Sequence, residues 1–140
     1  SEYDAKFSVP YAVATALCKG QFGLADLEDE ARLDAEVLAL AQRVDCAHDE
    51  RSHYPEAFSG GVSLTLKDGT RLEHFLTVNR GAEGQLLSAD QVREKFLANC
   101  GLTISNESAL ATWDMLMQLD EVNNVTGLMA LLRTEANSAG

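Results

Sequence analysis

The sequence predicts a small α+β domain in which a small antiparallel sheet, built on a central hairpin, packs against several helices. Three observations carry that expectation. Two stretches alternate apolar and polar residues around an Asp-Gly turn. Apolar residues recur at helical spacing on either side of that turn, and capping residues punctuate the helical stretches. At 140 residues, 46% hydrophobic and 24% charged, a single soluble domain spanning 1–140 is the expectation.

The first helix is predicted over Val9 to Lys19. Ser8 is a natural cap, Pro10 sits where its missing N–H has no partner to lose, and Gly20 stops the helix. Val9, Val13, Ala16 and Leu17 fall on one side, and the slim Ala12, Ala14 and Ala16 allow close approach to a neighbour. Glu28, Asp29 and Glu30 read as a solvated turn or short helix. Asp34 caps a second helix reaching Arg43, with Val37, Leu38, Leu40 and Ala41 as its apolar stripe and Arg43 at the negative end of its dipole. Val44 to Ala47 reads as a short strand. His48 to Ser59 is polar, carries Pro55 and reads as a loop.

Val62 to Leu66 and Leu72 to Val78 are predicted strands joined by Lys67-Asp68-Gly69-Thr70, because glycine accepts a positive φ without steric cost. A slip in the alternation at Phe75–Leu76 suggests a bulge. A hairpin alone is marginal, so helices are expected to cover its apolar face. Ser88-Ala89-Asp90-Gln91 has the form of a capping box and opens a helix to about Asn99 that buries Val92, Phe96 and Leu97. Gly101 ends it. Ser105 caps a helix to about Leu119, and Asn123 or Asn124 starts a last helix through Arg133.

Composition excludes several functions. A net charge of −11 argues against nucleic-acid binding and against attraction to anionic membranes. No run of ~18 apolar residues would span a bilayer, and SEYDAKF lacks the apolar core of a secretion signal. Three cysteines without a CxxC spacing fit reduced thiols, and a cytoplasmic location is expected. The chain opens without methionine and enters a structured motif almost at once, as an excised domain or processed fragment would. No P-loop, GxGxxG or nucleophile elbow is present. His48 and His53, five apart among Asp45, Asp49 and Glu50, read as solvated loop residues, so no metal is expected. His74 reads as a sheet-surface residue. Trp113, Met115, Leu116 and Met117 read as core or docking surface.

Tyr11 is the one residue here with a chemical argument. It lies in the first turn of a small-residue helix, beside Ser8 and near Lys6. A helix amino terminus carries unpaired N–H groups and positive partial charge, which suit a substrate carboxylate, and a phenol there can add a hydrogen bond. Packing of Tyr11 in the core, with its hydroxyl satisfied at the surface, is the plainer reading, and the residues alone favour it.

Four blocks together resemble the carboxy-terminal region of the MmgE/PrpD family, which includes 2-methylcitrate dehydratases, iminodisuccinate epimerases and cis-aconitate decarboxylases. They are KFSVPYAVATALCKGQFGL from Lys6, DAEVLALAQRV from Asp34, YPEAFSGGVSLTLKDGTRLEHFL from Tyr54 and LLSADQVREKFLANC from Leu86. The first is the most specific, and the order and spacing of all four carry the resemblance. Gly81 and Gly84 stand where the family often has prolines, and the arginine-rich string of the enterobacterial 2-methylcitrate dehydratases is absent. The resemblance implies a lid covering the active site of a larger helical domain, in enzymes using no metal or organic cofactor. Their reactions on small di- or tricarboxylates begin with proton abstraction beside a carboxylate, followed by loss of water, reprotonation or decarboxylation. The groups that move protons lie in the helical domain, outside this chain. By resemblance Tyr11 is the lid tyrosine facing substrate, with Lys6 and Ser8 as neighbouring substrate-binding candidates. The expected partners are thus a small carboxylate, the helical domain and, in a homodimer, a second copy. The competing reading is a stand-alone binding or interaction module of the same fold.

Overall fold

A computed structural model of the chain describes residues 1–133. These form two compact units, one built from Ser1–Val44 together with 89–133 and the other from Asp45–Ser88.

The first unit opens with a helix the sequence reading missed, α1 (Glu2–Lys6). No α1 residue is fully buried, so local bonds hold it. The Ser1 hydroxyl accepts the Asp4 N–H, and Lys6 pairs with Glu2 one turn back at 2.6 Å. Next comes α2 (Val9–Lys19), with the predicted bounds. Ser8 caps it by accepting the Tyr11 N–H at 3.2 Å, and Gly20 ends it in the left-handed conformation at φ 81°. The apolar side read from the sequence is not the side that is buried. Tyr11, Ala14 and Thr15 are buried, whereas Val9, Ala16 and Leu17 are exposed. Thr15 is tolerated inside because its hydroxyl donates to the Tyr11 carbonyl at 2.8 Å.

A 3₁₀ turn (Leu24–Leu27) and α3 (Asp29–Arg32) follow, then α4 (Ala35–Ala41). Asp34 caps α4 by accepting the Glu36 and Val37 N–H groups. Val37 is buried against Tyr11 and Ala14, with Ala5, Leu40 and Ala41 around them, and this cluster is the core joining α2 to α4. Leu38, predicted inside, is exposed.

After the hairpin unit the chain continues as α5 (Ala89–Cys100), α6 (Asn106–Leu116), a 3₁₀ turn (Leu119–Glu121) and α7 (Thr126–Leu131). Ser105 caps α6 through the Ser108 N–H at 3.1 Å. The rings of Phe96 and Trp113 meet at 5.5 Å between centroids and join α5 to α6. Ala109, Thr112 and Leu128 are buried, but Val92 is exposed, contrary to expectation. Part of the predicted last helix is loop instead, with the Asn124 side chain accepting the Thr126 N–H at 2.8 Å.

In the second unit, 45–59 is irregular, so the strand predicted over Val44–Ala47 does not form. The hairpin does, as β1 (Gly60–Thr65) and β2 (Arg71–Leu76), antiparallel with Val62 opposite His74 and Leu64 opposite Leu72. The register runs unbroken through Gly61↔Phe75 and Gly60↔Leu76, so the expected bulge at Phe75 is absent. The irregularity sits in the turn instead. There Gly69 N–H donates to Leu66, Leu66 N–H donates to Thr70, and Gly69 takes φ 86°. One hairpin face carries Arg51, whose guanidinium lies 4.4 Å over the Phe75 ring and pairs with Asp49 and Glu73. On the opposite face Val62, Leu72 and Leu76 are exposed and Leu64 is half-buried.

Candidate functional site

The candidate residues gather where α1 hands over to α2 and where the 3₁₀ turn returns to α2. Pro10 fixes the first turn of α2, and the Ser8 cap fixes the backbone at Tyr11. The Tyr11 side chain then points inward and is only 6% exposed. Its hydroxyl donates to the Asp26 main-chain carbonyl at 2.6 Å, with the Ala31 carbonyl oxygen at 3.3 Å, and Phe22 packs edge-on against the ring. A phenol has one proton, and the shorter contact takes it.

Asp26 is the counterpart. Its buried carboxylate accepts from the Lys19 ammonium at 3.1 Å and from the Gly23 N–H at 2.9 Å. That hydrogen bond holds the Lys19 ammonium above the ordinary lysine range. Arg32 steadies the far side of the turn by donating to the Leu27 carbonyl at 2.8 Å. The result is a closed loop of contacts: α2, its left-handed glycine, the 3₁₀ turn, and back to α2 through Lys19 and Tyr11.

The structure thus joins Ser8 and Tyr11 directly. Lys6 is engaged with Glu2, and its ammonium holds the Glu2 carboxyl below the usual range. First-turn N–H groups are scarcer than the helix start suggested, since Pro10 has none and Ser8 already takes that of Tyr11. Lys19 and Asp26 were not singled out from sequence. Seven residues apart on one helix they would lie two turns from each other, too far to pair, and only the Gly20–Gly23 turn brings them together.

Elsewhere, an open cleft of about 290 Å³ is lined by Asp114, Met115, Gln118, Glu121 and Val122, none of them a predicted site residue. His48, His53 and His74 are exposed. Among the described residues no group of three or more His, Cys, Asp or Glu side chains could hold a metal ion. Cys18, Cys46 and Cys100 are free thiols, and no described helix is long and apolar enough to cross a membrane.

Fold and junction together define a small α+β domain with a buried hydrogen-bonded cluster, Tyr11 and Asp26, between α2 and the 3₁₀ turn. Over residues 1–121 the chain matches the family model of the MmgE/PrpD C-terminal domain, and the chain belongs to that family. No curated protein gives a significant match.

Proposed function

We infer that this domain is the lid of a lyase or isomerase that acts on small di- or tricarboxylates without a cofactor, in the manner of a 2-methylcitrate dehydratase. The observation that carries the reading is family membership across residues 1–121, a span that includes the whole α2 junction. Abstraction of a proton beside a carboxylate builds negative charge on the substrate, and a lid can stabilise that charge and exclude water. In this reading Lys6 supplies positive charge, Ser8 sets the backbone of the first turn, and Tyr11 offers a phenolic proton to a substrate carboxylate or an enolate-like oxygen. Substrate and helical domain are the partners this reading requires, joined by a second copy where the enzyme is a homodimer.

One observation favours the stand-alone binding module instead: the Tyr11 proton is already held by a main-chain carbonyl. Assays separate the two. The intact protein carrying this domain is expected to turn over at least one of 2-methylcitrate, cis-aconitate and iminodisuccinate. Residues 1–140 alone are expected to turn over none, since the groups supplying acid–base catalysis, typically worth ~10²–10⁴ in rate, lie elsewhere. Turnover by the isolated chain, or none by the intact protein, overturns the lid reading.

A further inference from the structure

We propose that Asp26 is a positioning residue for Tyr11, forming a latch in which the Asp26 main-chain carbonyl competes with a bound carboxylate for the Tyr11 phenolic proton. The inference rests on the lid reading and adds what regulates that site. Three contacts carry it. The Tyr11 hydroxyl is bonded to the Asp26 carbonyl at 2.6 Å, although the ring is buried and the hydroxyl has no second proton to give. That carbonyl belongs to a short 3₁₀ turn rather than a long element. The turn in its place is fixed by the Asp26 side chain, through Lys19 at 3.1 Å and the Gly23 N–H at 2.9 Å. One residue therefore presents the acceptor through its main chain and anchors that acceptor through its carboxylate. A carboxylate ligand is a stronger acceptor than a neutral carbonyl, so it can draw the proton away. The cost of breaking the latch is then part of the cost of binding.

Loosening the latch should make the proton easier to draw. In the intact enzyme, Asp26→Asn and, independently, Lys19→Met are each expected to lower KM several-fold for whichever of 2-methylcitrate, cis-aconitate or iminodisuccinate is turned over. In a Tyr11→Phe background neither change should alter KM, because no phenolic proton remains to be released. Lys19→Met keeps the test alive if Asp26→Asn fails to fold. A second readout needs no turnover. In ¹³C-tyrosine-labelled chain, the Tyr11 Cζ resonance, assigned by its loss in Tyr11→Phe, should shift in both variants while those of Tyr3 and Tyr54 stay fixed. An unmoved Tyr11 resonance overturns the latch, as does a KM effect that persists without the phenol. Those results leave the lid reading standing. Unchanged kcat/KM in Tyr11→Phe removes Tyr11 from the site and the latch with it, and absence of turnover on all three carboxylates removes both.

Discussion

A hydroxyl that faces a buried carbonyl has a measurable worth, and Tyr11 is the residue where it can be read. Tyr11→Phe keeps the ring against Phe22 but leaves the Asp26 carbonyl without its donor. The isolated chain should lose about 1–3 kcal/mol, a fall in thermal midpoint of roughly 3–5 °C per kcal/mol for a chain this size. An unchanged midpoint would show that the hydroxyl does not hold that carbonyl in solution. Asp49 makes a different kind of contribution. Bonds from Arg51 hold its carboxyl down at about 2, below the ordinary 3.8. A depressed carboxylate stabilises the folded state above its ordinary pKa, and that support fades as pH falls from about 4 through about 2. Phe75 ring resonances should therefore shift over that window as Arg51 loosens, and Asp49→Asn should shrink the step while the Glu73 pair keeps Arg51 near the ring.

Elements show why some of the fold was legible and some was not. The hairpin, the α2 bounds and the Ser8, Asp34 and Ser105 caps follow from local rules of turn geometry and orphaned N–H groups, which a sequence displays directly. Which face of a helix is buried depends on its neighbours. On α2 the inward face carries Thr15 and on α6 it carries Thr112, each with its hydroxyl donated to a carbonyl four residues back. An apolar-stripe reading discards such residues, since it cannot see that their polarity is already satisfied. Tyr11 and Ser8 were legible because a cap and a first turn are local features, whereas Lys19 and Asp26 meet only through the chain reversal after Gly20. The hairpin offers a sharp test at Gly61. A Cβ there would lie 2.8 Å from the Phe75 ring and 3.0 Å from the His74 carbonyl, and the carbonyl cannot move without breaking the register. Gly61→Ala should destabilise the hairpin by roughly 1–3 kcal/mol, seen as faster amide exchange in β1 and β2 with α2 unaffected.

For the whole molecule, charge and apolar surface oppose one another. A net charge of −11 keeps copies apart, while both units display exposed large apolar side chains, Leu72 and Leu76 in the hairpin, and Val9, Met117 and Val125 in the helical unit. Salt screens the first effect and leaves the second intact. Sedimentation at high protein concentration should thus show monomer at low ionic strength and association near 0.5 M salt, a range where the Debye length falls to about 4 Å. Association that weakens with salt would mean that ion pairs, not apolar contacts, join the copies.

The division of the chain also bears on how it acquires its structure. The helical unit is discontinuous in sequence, and everything from Asp45 to Ser88 intervenes between its two portions. Bringing those portions together means closing a long loop, whose entropic cost grows with the logarithm of its length. The hairpin needs only neighbours: Gly69 turns the chain, and β1 meets β2 within a few residues. Formed early, on the microsecond scale of hairpins, it shortens the effective loop before the helices meet. A lesion at Gly69 would then slow the assembly of helices far from it in sequence.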